Sequence, residues 1–308
     1  MILRQQLKDF LEIEISLEPV EYKVLEQENF EDFERQLIQY AGSEQDEIKA
    51  YLFIPVKKAI RGAVLVHHQH NGDRHLGKSE VSGLIGDENQ FFCPALAQNG
   101  IIALAPDSIS FEERRTNRQG TQPAADPDED ILQHFNEMCY RLLNGTTLMK
   151  KVIEDSSIAI SLLSHHKKVQ NKKIGILGHS YGGNTVIFHS PLDERILLSC
   201  SSGAVCSYQT KIKHDTGIEM AEVIPGFIEK YDIEDLLECN SPRKLLILSA
   251  SQDIYSQDAT EVVQAIKPTY EKADAGNNLI HYRYEGGHAL DEGRFRDIIE
   301  WFDREMEE

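Results

Sequence analysis

The chain has 308 residues, of which 41% are hydrophobic and 8% aromatic, and this composition excludes a disordered chain, a collagen and a coiled coil. Lysine and arginine number 32 against 51 acidic residues. The resulting formal net charge of −19 argues against nucleic acid or an anionic membrane surface as a partner. No apolar run of 18 residues is present, so no membrane span is predicted.

The predicted elements begin with an antiparallel pair of strands, Phe33 to Tyr40 and Ile48 to Pro55. Further strands are predicted at 62–67, 101–105, 173–177, 196–200, 244–248 and 279–284, and helices at 90–98, 146–165, 183–189, 257–274 and 291–306. Apolar strands separated by helices are typical of parallel βαβ units covered on both faces. The predicted fold class is therefore α/β: a mostly parallel, twisted sheet with helices on both faces and an antiparallel edge.

Two segments fall outside this alternation, and we expect both to be insertions that cover a ligand cleft. Residues 107–145 begin with a stretch, 107–130, that is interpreted as a loop because of its prolines and charges. Residues 208–240 are irregular apart from a helix near 233–237. No linker divides the chain, so residues 1–308 are predicted to form a single domain, with residues 1–32 as an N-terminal extension.

The first residues lack the pattern of a secretory signal, because acidic residues appear by Asp9 and no apolar stretch follows Arg4. The five cysteines form no C-x-x-C pair. Reduced thiols explain their odd number most simply, so we expect a cytoplasmic protein.

The strand at 173–177 runs directly into a G-x-S-x-G pattern centred on Ser180, and a predicted helix follows. This context is typical of a nucleophile elbow, a tight turn that exposes a serine oxygen at the carboxyl end of the sheet. Gly178 and Gly182 fit it, because a Cβ at either position would collide with the adjoining strand and helix. Ser180 is the predicted nucleophile. The alternative is an ordinary glycine-rich turn with a buried serine.

A serine nucleophile needs a base, and the base needs an orienting carboxylate. In proteins with this type of nucleophile elbow, the acid and then the histidine follow the serine along the chain. We therefore expect both residues after Ser180. Asp253 comes just after the next-to-last strand and is the predicted acid, with Asp258 as a weaker alternative. His288 follows the last strand after two glycines and is the predicted base, whereas His281 lies inside that strand.

The negative oxygen that forms in acyl transfer also needs N–H donors. The N–H of Tyr181 is the first predicted donor, and the second is expected from Gln69 or His70 in the loop after the strand at 62–67. Four histidines between positions 67 and 75 would suit a zinc site, but no carboxylate nearby has ligand spacing. We therefore expect this loop to form a polar wall of the cleft and to hold no metal.

The substrate does not follow from the sequence. Three basic residues either recognise an acidic or sugar-linked group or are surface charges, and we favour surface charges: Lys78, Arg114 and Arg115. Four aromatic residues either line an apolar cleft or belong to the core: Tyr181, Tyr208, Phe227 and Tyr255.

The ordered motifs resemble the α/β-hydrolase superfamily, and more narrowly its dienelactone-hydrolase-like and acetyl-xylan-esterase-like bacterial members. The resemblance covers roughly residues 33–304. It rests on residues 68–72 with 77–80, 105–107 with 113–115, 178–183, 192–195, 224–226 with 231–233, and 285–288. Two differences stand out. Dienelactone hydrolases proper use a cysteine nucleophile, and Gln69 and His70 stand where many relatives have His-Gly followed by an aromatic residue.

The resemblance implies the α/β-hydrolase fold and a triad of Ser180, His288 and Asp253 that works without a cofactor. It also implies hydrolysis of small-molecule carboxylic esters through an acyl-enzyme. A peptidase or amidase of the prolyl-oligopeptidase type is one alternative, although such enzymes usually carry a propeller domain for which 308 residues leave no room. A non-catalytic ligand-binding member of the fold is the other, and the complete residue set argues against it. The oligomeric state is not predicted.

Overall fold

The computed structural model describes residues 2–70 and 72–307, and nine strands in this part of the chain form one sheet. The strands are Lys23–Asn29 (β1), Phe33–Ala41 (β2), Glu47–Pro55 (β3), Gly62–His67 (β4), Ile101–Pro106 (β5), Lys173–His179 (β6), Ile196–Ser202 (β7), Lys244–Ala250 (β8) and Leu279–Tyr284 (β9). Their spatial order is β1-β2-β3-β5-β4-β6-β7-β8-β9. The six strands β4 to β9 run parallel, and β1, β2 and β3 form an antiparallel edge against β5.

Helices cover the sheet on both faces. They are Ile2–Leu11 (α1), Lys78–Val81 (α2), Phe92–Gln98 (α3), Pro127–Leu143 (α4), Leu148–His165 (α5), Tyr181–His189 (α6), Tyr208–Lys213 (α7), Ile233–Glu238 (α8), Ala259–Lys272 (α9) and Glu292–Glu307 (α10). Successive side chains of a strand point to opposite faces. Accordingly, Leu245 and Ile247 of β8 belong to the core cluster that includes residues of α5, α6, α8 and α9, whereas Leu246 and Leu248 belong to the cluster that includes residues of α3 and α10.

The predicted fold class is confirmed. All eight predicted strands are present within two residues of their expected ends, and so are the six predicted helices, including the one expected near 233–237. The interpretation of residues 107–130 as a loop is wrong at its end, because α4 begins at Pro127. The Asp126 carboxylate caps α4 by accepting from the N–H of Asp128 at 3.0 Å, and acidic residues fill the first turn, where the helix dipole favours them.

Parallel strands bring the candidate site together, because their carboxyl ends meet at the same edge of the sheet. Ser180 follows β6, Asp253 follows β8 and His288 follows β9. In the part of the chain that the structure describes, no helix has both the length and the apolar character needed to cross a bilayer.

Candidate active site

Ser180 lies in the turn between β6 and α6, with a φ of 56° and a ψ of −120°. A positive φ is uncommon for a residue with a Cβ, and it persists where the surrounding structure enforces it. A Cβ on Gly178 would lie 2.2 Å from the backbone of Gly182, and a Cβ on Gly182 would lie 2.4 Å from the carbonyl oxygen of His67. The turn therefore needs glycine at both predicted positions.

The structure brings together the three residues expected to form the triad. Nε2 of His288 is 2.8 Å from Oγ of Ser180, and Nδ1 of His288 is 3.0 Å from Oδ1 of Asp253. A proton on Nδ1 donates to the carboxylate, so Nε2 is free to accept the proton of the serine hydroxyl. His179 packs beneath His288 with ring centroids 5.0 Å apart, but burial lowers the pKa of His179 to about 3 and keeps it neutral.

The carboxylate of Asp253 is held by several donors. Its Oδ1 also accepts from the N–H of Tyr255 at 3.0 Å, and its Oδ2 accepts from the hydroxyl of Ser256 at 2.7 Å. Burial alone would raise the pKa of Asp253, but the hydrogen bonds from His288, Ser256 and Tyr255 outweigh burial and lower the pKa. Asp253 therefore stays ionised beside the imidazole.

The alternative acid, Asp258, lies elsewhere. Its carboxylate accepts from the N–H of Ser207 at 3.2 Å, at the residue that caps α7. Asp258 thus holds the start of a short helix, and the imidazole of His288 is paired with Asp253.

The loop after β4 is fixed by His68. The N–H of Ser108 donates to Nε2 of His68 at 3.1 Å, so the ring carries its proton on Nδ1 and donates to the carbonyl of Gln69 at 2.8 Å. Burial lowers the pKa of His68 to about 4, which keeps the ring neutral. The side chain of Gln69 turns inward and donates to Oε1 of Glu80 at 3.2 Å.

Ser180 and His288 open onto a cavity of about 320 Å³, a size typical of small-molecule sites. Tyr181 and Tyr255 line it, in line with one of the two interpretations of the aromatic residues. The alternative, that the aromatic residues belong to the core, holds for Tyr208 and Phe227, which are buried there. The remaining lining comes from the loop after β4, from α6 and from residues 203–222, which include part of the predicted insertion at 208–240.

Glu219 is a site residue that the sequence reasoning missed. Gly72 donates its N–H to Nδ1 of His70 at 2.9 Å, so the His70 proton is on Nε2, 2.6 Å from Oε2 of Glu219. On the other side, Nε2 of His134 is 3.6 Å from Oε1 of Glu219. Burial would raise the pKa of Glu219, but the contacts with His134 and His70 outweigh burial and hold the pKa well below its ordinary value. No local sequence pattern marks this contact, because its members lie on three separate segments.

The histidines near the loop do not converge on one point. His67 contacts the hydroxyl of Ser156 at 2.8 Å, His68 contacts the carbonyl of Gln69, and His70 contacts Glu219. Each ring is thus occupied by a different partner.

Among the described residues, one group of carboxylates is close enough to hold a metal: Asp107, Glu112 and Glu113. The ammonium of Lys78 already lies among them, 2.8 Å from Asp107 and 2.9 Å from Glu113. Burial alone would lower the pKa of Lys78, but these carboxylates outweigh burial and raise it. The group is therefore a buried ion-pair cluster.

The expectation that the three basic residues are surface charges is wrong. Lys78 and Arg115 are each 1% exposed. Arg115 pairs with Asp130 and donates to carbonyls of the same segment, and Arg114 donates to Asp155 at 2.8 Å. These cations neutralise buried carboxylates within the protein, and none of the three lines the cavity.

Known proteins share sequence and fold with this chain. The sequence model described as the dienelactone hydrolase family matches residues 48–212, more than half of the chain. A protein of Bacillus subtilis (strain 168) that is provisionally named a hydrolase, YtaP, is 29% identical over 200 residues. The alignment covers 62% of this chain and 60% of YtaP, less than two thirds of that protein's length.

Solved structures share the fold across nearly the whole chain. A protein of Bacteroides fragilis NCTC 9343, provisionally named an acetyl xylan esterase, superposes with a TM-score of 0.74 at 15% identity, over 98% of this chain and 80% of its own. A glucuronoyl esterase from Solibacter usitatus superposes with a TM-score of 0.67 at 14% identity, over 98% of this chain and 91% of its own. At such identities the likeness establishes the fold.

Proposed function

Because the chain belongs to the dienelactone hydrolase family, we propose that it is a serine hydrolase that cleaves carboxylic esters. The observation that carries the proposal is the contact of one imidazole with both Ser180 and Asp253, at the mouth of a cavity of small-molecule size. Esterases among the structural neighbours support the same substrate class.

The reaction begins when the Oγ of Ser180 attacks the ester carbonyl carbon. His288 accepts the hydroxyl proton at Nε2, and Asp253 holds the ring through Nδ1–H and stabilises the imidazolium. The tetrahedral intermediate then collapses, and His288 returns the proton to the departing alcohol. Water attacks the acyl-enzyme with the same assistance from His288, and the carboxylic acid and the free serine are regenerated.

The negative oxygen of the tetrahedral intermediate needs preorganised donors. Tyr181 is the first residue of α6, so its N–H has no acceptor within the helix and is available. For the second donor we favour His70 over Gln69. The carbonyl of Gln69 points at the buried ring of His68, and in a trans peptide the N–H of the next residue points the opposite way. The N–H of His70, a residue that lines the cavity, is thus directed away from that ring.

The nucleophile bears on the substrate class. Dienelactone hydrolases proper use a cysteine, whereas this chain has Ser180. A neutral serine hydroxyl is a weaker nucleophile than a thiolate, so it needs the assistance of His288 and Asp253 to attack a carboxylic ester.

The proposal is tested with a fluorophosphonate probe and with matched ester and amide substrates. The purified protein should react with the probe at Ser180 and should hydrolyse short acyl esters faster than the corresponding amides. Ser180→Ala and His288→Ala should each abolish turnover, and His281→Ala is the matched control. His281 lies in β9 and bonds Ser249, so its loss should leave turnover intact. Undiminished hydrolysis by Ser180→Ala rejects the proposal, and faster turnover of the amides replaces it with an amidase.

A further inference from the structure

One wall of the cavity is built from buried charges that the proposed reaction does not use. Lys211 of α7 and Glu222, on the turn that follows Glu219, both line the cavity, and they are only 2% and 1% exposed. Nζ of Lys211 is 2.7 Å from Oε2 of Glu222. Both residues lie in the segment 208–240, the predicted cleft-covering insertion, so this wall comes from outside the common βαβ alternation.

Two acceptor atoms on this wall lack a partner among the described residues. Oε1 of Glu222 and Oδ1 of Asn184 are buried, and neither accepts a hydrogen bond. Asn184 lies four residues after Ser180, one helical turn away, and it also lines the cavity. Buried acceptors are normally paired, so two unpaired acceptors on residues that line the cavity point to a ligand that brings donors.

The charges on the wall select the type of donor. A carboxylate on the substrate would be repelled by Glu222 and Glu219, and for an ammonium the attraction of these acids is opposed by Lys211. A hydroxyl on the substrate can bond to Glu222, Asn184 and Lys211. Its O–H donates to Glu222 or Asn184, and its oxygen accepts from a remaining N–H of Lys211.

We propose that Lys211, Glu222 and Asn184 form a hydroxyl-recognition wall, and that the preferred substrates are small neutral esters with a free hydroxyl on the acyl or the alcohol part. This inference rests on the proposed function, because it names the substrates of the same site. The cavity volume of about 320 Å³ restricts these substrates to small molecules.

Two pairs of isosteric esters test the proposal by acid release in a pH-stat. Ethyl 3-hydroxybutyrate against ethyl 3-methylbutyrate tests the acyl side, and 2-hydroxyethyl acetate against propyl acetate tests the alcohol side. Each value of kcat/KM is divided by the rate of alkaline hydrolysis of the same ester. We expect the hydroxyl ester to be favoured at least about tenfold in one of the two pairs, since a site that bonds a hydroxyl rejects the analogue without it. A ratio near one in both pairs overturns the proposal.

Variants of the wall identify its residues. Asn184→Ala should move the ratio of the favoured pair toward one, and so should the double variant Lys211→Met with Glu222→Leu, which removes both charges together. Lys213→Met is the matched control, because Lys213 is an exposed lysine of the same helix. A hydroxyl preference that persists in both wall variants also overturns the proposal.

The two proposals fail in different ways. Labelling of Ser180 by the fluorophosphonate without any hydroxyl preference removes only the wall. If neither labelling nor turnover is found, the proposed function fails, and saturation-transfer NMR on Ser180→Ala then tests the wall by binding alone. Stronger binding of 2-hydroxyethyl acetate than of propyl acetate supports the wall, and equal binding overturns it.

Discussion

The buried carboxyl of Glu80 makes the stability of this protein depend on pH, and one substitution removes this dependence. Glu80 is 3% exposed, and its Oε1 accepts from the side chain of Gln69 at 3.2 Å and from the N–H of Asp87 at 3.3 Å. Burial raises the pKa of Glu80 to about 7, with smaller increments from Asp87 and Asp73 that are opposed by the two hydrogen bonds.

Between pH 4.5 and 7 the folded protein holds a proton on Glu80 that the unfolded chain has released, so the free energy of unfolding falls as pH rises through this window. At about 1.4 kcal/mol per pH unit, the difference between 4.5 and about 7 amounts to about 3 kcal/mol at pH 8. Glu80→Gln keeps an oxygen that accepts both hydrogen bonds and removes the ionisation. The variant should therefore be more stable than the wild type at pH 8, by up to about 3 kcal/mol.

Urea unfolding at pH 5, 6, 7 and 8 measures the effect. The difference in unfolding free energy between Glu80→Gln and the wild type should grow by about 2–3 kcal/mol from pH 5 to pH 8. Glu88→Gln is the control, because Glu88 is an exposed acid on the adjoining turn, and its difference from the wild type should stay flat. If Glu80→Gln has the same pH dependence as the wild type, the reasoning about the buried carboxyl is refuted.

Substitutions at three further positions test other parts of the structure. Gly182→Ala should destabilise the protein by about 1–3 kcal/mol in urea unfolding, because the new Cβ meets the carbonyl of His67 and neither backbone can move freely. A wild-type midpoint would contradict the elbow geometry. Lys78→Met should lower the unfolding free energy by about 3–5 kcal/mol at pH 7, since it leaves buried carboxylates unpaired; an unchanged midpoint would contradict this. Glu219→Ala should lower kcat about ten- to a hundred-fold with Ser180 still labelled, because His70 loses its anchor. Glu219→Gln should restore part of the loss, and wild-type kcat in Glu219→Ala would reject the anchoring role.

The sequence predicted the parallel part of the fold well, because continuous apolar runs mark strands that are buried on both faces. It missed β1, whose residues Lys23–Asn29 are mostly charged or polar and largely exposed, since this edge strand carries no apolar pattern. It also missed α4, although an aspartate cap before Pro127 and an acidic first turn were present in the sequence. The many charges of that segment obscured these helix signals.

At the site, the G-x-S-x-G motif and the positions that follow successive strands pointed to three residues that the structure brings into contact: Ser180, Asp253 and His288. The positions of Glu219 and Lys78 were not predictable in this way. Each acts through side chains that are distant in the sequence, and only the folded chain shows that Lys78 is enclosed by carboxylates and that Glu219 meets His70. The roles of the triad residues and of the oxyanion donors stay predictions until they are tested in solution.

The most direct test is to trap the acyl-enzyme. The protein is mixed with excess p-nitrophenyl acetate, quenched in acid within the first turnovers, digested and analysed by mass spectrometry. We expect one acetyl group on the peptide that contains Ser180, formed together with a burst of p-nitrophenol and absent in Ser180→Ala. Steady hydrolysis with no acyl group on Ser180, or with the acyl group on another residue, would contradict the central claim.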